Sequence, residues 1–199
     1  MTTMNKKTFV VGIGGGSASG KTTISKILTQ KLEGASVKSI HMDSYFKKPE
    51  DRPVSTAPIV GKEYMDDNHP LTMELDRLSK DLSNAIASET YDVIIVEGLL
   101  TLWDEAILDQ LDLKLFVDCR ADERIVRRIK RNMRWGQTFE QITDVYLDLV
   151  RYRHDEFVEP TRWRADFVIN GSTNSELALE IIEKYIREKI GQKYMYASE

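Results

Sequence analysis

Cysteine is almost missing from this chain: Cys119 stands alone among 199 residues. A single thiol can neither close an intrachain disulfide nor build a zinc cluster, and it suits a reducing compartment. Long apolar runs are missing as well, none approaching the ~20 residues that a membrane span needs. Residues Met1 to Lys7 lead into the first apolar run without a signal-peptide pattern, so the cytoplasm is the expected location and no membrane partner is expected. The charge balance is equally unremarkable, 28 Lys and Arg against 32 Asp and Glu for a net charge of −4. Such a balance argues against the broad basic surface of a nucleic-acid-binding protein. Proline is scarce outside one stretch, because four of the five (Pro49, Pro53, Pro58 and Pro70) fall within residues 49–70. That stretch is too long and irregular for an ordinary connection, and its position predicts a flap on the substrate side, approximately residues 44–70.

What is present is a phosphate-binding signature. Gly15-Gly16-Ser17-Ala18-Ser19-Gly20-Lys21-Thr22-Thr23 contains an unbroken G-x-x-x-x-G-K-[ST] motif. An apolar run, Phe9 to Ile13, precedes it, and the helical spacing of Ile24, Ile27, Leu28 and Leu32 follows. Glycines let the backbone wrap a phosphate without Cβ clashes, and the helix start turns its N–H groups and dipole toward the anion. In that arrangement Lys21 reaches the β and γ phosphates of a nucleoside triphosphate and the Thr22 hydroxyl ligates Mg²⁺.

Elsewhere short apolar runs alternate with longer helical patterns, the signature of successive β-α units and a parallel sheet covered on both faces. The pattern predicts strands at 9–13, 37–42, 92–96, 113–117 and 166–169. Helices are predicted at 21–33, 72–87, 121–133, 138–156 and 174–190, with a shorter one at 103–110. With 199 residues and 41% hydrophobic content, one domain spanning 1–199 is expected.

Three further sites carry chemistry. Asp43 follows the second strand, at the rim where open α/β sheets bind ligands, and is a candidate base for the proton of an attacking hydroxyl. A turn or cap role is the competing reading. Glu97 is the first charge after the doubly buried strand Val93-Ile94-Ile95-Val96 and takes the place of an acid that serves Mg²⁺. No Asp-x-x-Gly follows that strand, as a GTPase switch would require. Arg124, Arg127, Arg128, Lys130, Arg131 and Arg134 form a basic face opposite Ile125, Val126, Ile129 and Met133. A solvated charged face is one reading; the other is a phosphate-facing lid over residues 124–140, with Trp135-Gly136-Gln137 at its tip, that closes and excludes water. His41, His69 and His154 share no metal-ligand spacing. His41 and His154 read as structural, and His69 reads either as a border of the acceptor site or as part of a turn.

Together these residues resemble the phosphoribulokinase/uridine kinase family, over nearly the whole chain. The likeness rests on Gly14 to Thr23, His41-Met42-Asp43-Ser44-Tyr45-Phe46, Ile95-Val96-Glu97-Gly98, Asp112 to Asp118, Arg127-Arg128-Ile129 and Phe157-Val158-Glu159-Pro160-Thr161. It implies a three-layer α/β/α P-loop kinase fold with a five-stranded parallel sheet and a helical lid. It also implies transfer of the γ-phosphoryl of MgATP to the 5′-hydroxyl of a nucleoside such as uridine or cytidine. In that picture Asp43, Lys21, Arg128 and Arg131 are catalytic. Gly15 to Thr23 hold ATP, Thr22 and Glu97 serve Mg²⁺, and Asp43, Tyr45, Asn68, His69 and Arg128 meet the acceptor. A homo-oligomer is expected from kinship alone.

The chain departs from the family on the acceptor side. The family's base-reading hairpin precedes the strand at 92–96, but here only Ser88-Glu89-Thr90-Tyr91 separate helix from strand. Asn68 stands where the family's ribose-binding Asp is expected, and Arg134-Trp135-Gly136-Gln137 replaces a segment with two arginines. A kinase for nicotinamide riboside or another small alcohol is the alternative, and a non-catalytic nucleotide-binding regulator a second one.

Overall fold

A computed structural model of the protein describes residues 8–173 and 175–195. Met1 to Lys7, read above for a targeting pattern, and Asn174, where the last expected helix begins, lie outside the described residues. Five strands build one sheet: β1 (Phe9–Gly15), β2 (Val37–His41), β5 (Val93–Glu97), β6 (Leu113–Asp118) and β7 (Phe167–Asn170). All its pairings are parallel, in the order β2-β5-β1-β6-β7.

Period-two alternation sorts the strand side chains into two cores. Val11, Ile13, Val93, Ile95, Leu113, Leu115 and Val117 face one way, onto Ile24 and Leu28 of α1 (Lys21–Lys31) and Ile182 and Ile186 of α7 (Glu176–Met195). Val10, Ile94, Val96 and Phe116 face the other way, onto Leu78 and Leu82 of α2 (Leu75–Ala87) and Ile107 of α3 (Glu105–Leu108). Because both faces are covered, β1 and β5 are buried along their whole length, which explains the apolar sequence that runs unbroken in β5 up to Glu97.

The expected strands and helices are all present, with ends shifted by a few residues. The helix expected at 138–156 is a chain of shorter turns: α5 (Phe139–Val145), a π turn (Tyr146–Val150), α6 (Arg151–Arg153), a second π turn (His154–Val158) and a 3-10 stretch (Glu159–Arg164). The region 44–70 holds an antiparallel hairpin, β3 (Val54–Thr56) and β4 (Glu63–Met65), for which the sequence reading had no strand. Three-residue strands are too short to show alternation, and the six-residue connection, with Gly61 at φ 68°, lacks the two-residue turn signal. The chain thus carries a hairpin, but before α2. Between α2 and β5 there is only the direct passage seen in the sequence.

Candidate active site

The carboxyl ends of β1, β2 and β5 converge on a cleft of about 1070 Å³. Parallel pairing fixes this convergence, since Glu97 lies in register with both Ile13 and His41. β1 ends at Gly15 with φ 137°, where a Cβ would lie 2.5 Å from the Val117 carbonyl oxygen. Ala18 (φ 63°) and Gly20 (φ 111°) are also left-handed, so the loop curls into a nest of inward N–H groups at the start of α1. Lys21 is buried, and its Nζ donates to the Gly16 carbonyl at 2.9 Å. Loss of hydration pulls its pKa down to about 8, against the attraction of Glu97 and Asp43, while Arg131 and Arg124 add repulsion. A buried ammonium whose hydrogen-bond partner is a neutral carbonyl gains from phosphate oxygens brought against it.

Thr22 Oγ1 donates to Glu97 Oε1 at 2.9 Å, and His41 Nδ1 lies 2.9 Å from the same oxygen. Glu97 is buried, whereas the His41 side chain is about half exposed. A hydroxyl and a carboxylate held together at the mouth of a phosphate nest form a hard-oxygen donor set. It fits Mg²⁺, which takes few protein ligands and completes its shell with water and phosphate. His41 was read as structural; its partner could be found only by knowing that β2 pairs with β5.

The basic helix is α4 (Ala121–Met133), and its arginine face is the one that turns inward. Arg124 is buried, with Nε donating to the Cys119 carbonyl at 3.0 Å, while Val126 and Met133 of the apolar stripe are exposed. This inverts the ordinary amphipathic rule, and the cause is the cleft, which packs arginine stems and offers their heads polar atoms. Arg128 Nη1 and Arg131 Nη2 both donate to Ser17 Oγ, at 3.2 and 3.3 Å. Arg127 Nη1 donates to the Gly171 carbonyl at 2.8 Å. Burial lowers the pKa of Arg128, helped by Arg131 and opposed by Asp67; burial lowers that of Arg131, opposed by Asp43. Arg128 Nε is buried with no hydrogen-bond partner among the described residues. Two crowded guanidiniums sharing one hydroxyl make a site that favours an anion.

Facing these cations is Asp43, exposed in the 3-10 turn Met42–Tyr45 and lining the cleft. Its charge acts on both Lys21 and Arg131, so the carboxylate sits where the phosphates would end. Beyond it lie Phe46, Arg52, Asp67, Asn68 and Met73. Arg52 is already engaged: Nη1 pairs with Asp67 Oδ1 at 2.9 Å, Nε donates to the Lys47 carbonyl, and the guanidinium stacks on Phe46.

Of the expected acceptor residues, Asp43, Asn68 and Arg128 reach the cleft. Tyr45 does not line it: its hydroxyl donates to Asp81 of α2 at 3.0 Å, on the far side of the turn. His69 does not line it either, because Nδ1 accepts from Leu71 N–H and the ring meets Phe157 edge-on. The turn reading of His69 matches that bonding. Arg52 and Asp67 were missed. Their only signal was an unusually acidic Asp66-Asp67 beside Asn68.

The fold and this cleft define a P-loop phosphotransferase. Residues 64–178 match the phosphoribulokinase/uridine kinase family. A uridine kinase of Staphylococcus epidermidis is 34% identical over 96% of this chain and all of its own length. One from Streptococcus pyogenes is 33% identical over 95% of this chain and all of its own. The solved phosphoribulokinase of Rhodobacter spheroides superposes with a TM-score of 0.61 at 15% identity, covering 85% of this chain and 74% of that one. The chain belongs to the phosphoribulokinase/uridine kinase family.

Proposed function

We propose that the protein transfers the γ-phosphoryl of ATP to the 5′-hydroxyl of a neutral nucleoside, uridine or cytidine, in the cytoplasm. The observation that supports this reading most is a contrast inside one cleft. Lys21 is buried, Arg128 and Arg131 are half-buried, and none of the three has an ion-pair partner among the described residues, whereas Arg52 on the acceptor side is already paired with Asp67. A triphosphate satisfies the first wall; an uncharged acceptor suits the second, where a phosphorylated one would have to compete with Asp67.

In this reading Lys21 and the loop N–H groups hold the β and γ phosphates, and Thr22 and Glu97 hold Mg²⁺. When bound, Mg²⁺ neutralises phosphate charge. Asp43 accepts the hydroxyl proton as the acceptor oxygen bonds to the γ-phosphorus, and the bridging oxygen leaves on ADP with the bonding electrons. Arg128 and Arg131 stabilise charge on the transferring group, and α4 with its tip Arg134–Gln137 acts as the lid that excludes water.

The direct passage from α2 to β5 supports a second reading, in which the acceptor is nicotinamide riboside or another small alcohol. Incubation with γ-labelled MgATP and each nucleoside separates them: label is expected in uridine or cytidine 5′-monophosphate. Label only in another product would replace the pyrimidine reading.

A further inference from the structure

Asp66 is wholly buried, although it sits next to the cleft residues Asp67 and Asn68. Both of its carboxylate oxygens are used. Oδ1 accepts the Asn68 backbone N–H at 3.1 Å, and Oδ2 accepts Arg153 Nε at 2.6 Å. The guanidinium then spreads its remaining donors: Nη2 to Ser55 Oγ of β3 at 3.0 Å and Nη1 to Glu156 at 2.5 Å. One side chain therefore joins the hairpin, the acceptor turn and the helical chain that returns from α4. Tyr64 of β4 makes a parallel tie, donating to Asp148 at 2.6 Å. Asp148 lies in the first π turn and Arg153 directly precedes the second, and both side chains reach the hairpin.

We infer that Arg153 is a positioning residue for the acceptor: through Asp66 it fixes the backbone that presents Asp67 and Asn68 to the cleft. The inference rests on the reading that this wall receives the acceptor. A planar fork suits the task, since it gives three directional bonds to three segments and a lysine could not. A buried charge pair is weak evidence for stability, and its exchange for uncharged residues is often tolerated, so its use here is geometric.

The test uses Arg153→Met, Arg153→Lys and the double variant Asp66→Asn/Arg153→Met, which removes both charges and so leaves no buried charge unpaired. Hydrogen exchange is read first, because it needs no acceptor. The Asn68 amide is expected to exchange at least tenfold faster in all three variants, with the amides of Lys21 to Ile24 unchanged; equal exchange at Asn68 overturns the inference. Steady-state kinetics come second. KM for uridine is expected to rise about tenfold, in line with the cost of small misplacements remote from the chemistry, while KM for ATP stays within about twofold. A lower melting temperature with unchanged KM for uridine would reduce Arg153 to a structural bridge and overturn its positioning role. If the wild-type protein does not turn over uridine, the nucleoside reading fails, and the exchange result alone decides whether the tether exists.

Discussion

The two walls of the cleft handle charge in opposite ways. On the phosphate wall, Lys21 is buried with a carbonyl for its hydrogen-bond partner, and Arg128 and Arg131 crowd onto the single hydroxyl of Ser17. On the acceptor side the arginines are paired: Arg52 in the cleft with Asp67, and Arg153 behind it with Asp66. The first wall is built to be completed by a ligand, and the second is complete without one. In the proposed reading, that difference puts the triphosphate on one side and a neutral alcohol on the other, with Asp43, between the walls, as the proposed proton acceptor.

The largest effect should come from breaking the junction. Asp43→Asn keeps the shape of the turn but removes the proton acceptor, so turnover should fall by roughly 10²–10⁴ while MgADP affinity by calorimetry stays near wild type. Loss of nucleotide binding along with turnover would mean that Asp43 belongs to the phosphate wall. A smaller effect is expected within that wall. Arg128→Ala removes the half-buried cation proposed to face the transferring phosphoryl group and should lower kcat by about 10²-fold. The same variant should relieve crowding in the empty protein, so its melting temperature should not fall; a clear fall would show that the arginines were already satisfied without a ligand.

The smallest effect reads the phosphate wall from beneath. His154 is mostly buried, its Nε2 lies 3.4 Å from Glu159, and burial aided by Arg124 and Lys21 lowers its pKa to about 4. The direction follows from proton counting. Between about 4 and the ordinary 6.5 the unfolded chain binds a proton that the folded chain refuses, so folding stability falls as pH drops through that window. His154→Gln should therefore lose about 2 kcal/mol less than wild type between pH 7 and pH 4.5 in urea unfolding. Identical pH profiles would show that Glu159 offsets the cations of the wall.

The same contrast governs what the sequence could reveal. The phosphate loop was legible because it is local: eight consecutive residues carry the motif, and flanking apolar spacing places it between β1 and α1. Glu97 was legible because a doubly buried strand announces itself. The acceptor wall brings Arg52 to Asp67, with Arg153 behind it through Asp66; these residues are separated in the chain and meet around a hairpin whose strands are too short to leave a pattern. Tyr45 and His69 show the limit of resemblance. Each sits beside a residue that reaches the cleft, yet one turn of backbone sends Tyr45 to Asp81 and His69 to its own turn. In α4 the sequence showed the two faces but not their direction, which the cleft decides.

The most direct test of the account is the structure of the ternary complex with MgADP, a planar phosphoryl mimic and uridine. The account predicts the uridine 5′-hydroxyl within about 2.6–3.2 Å of an Asp43 carboxylate oxygen, the mimic against Lys21 and Arg128, and the ribose along Asp67 and Asn68. Uridine bound outside this wall, or Asp43 turned away from the hydroxyl with the mimic in place, would contradict it.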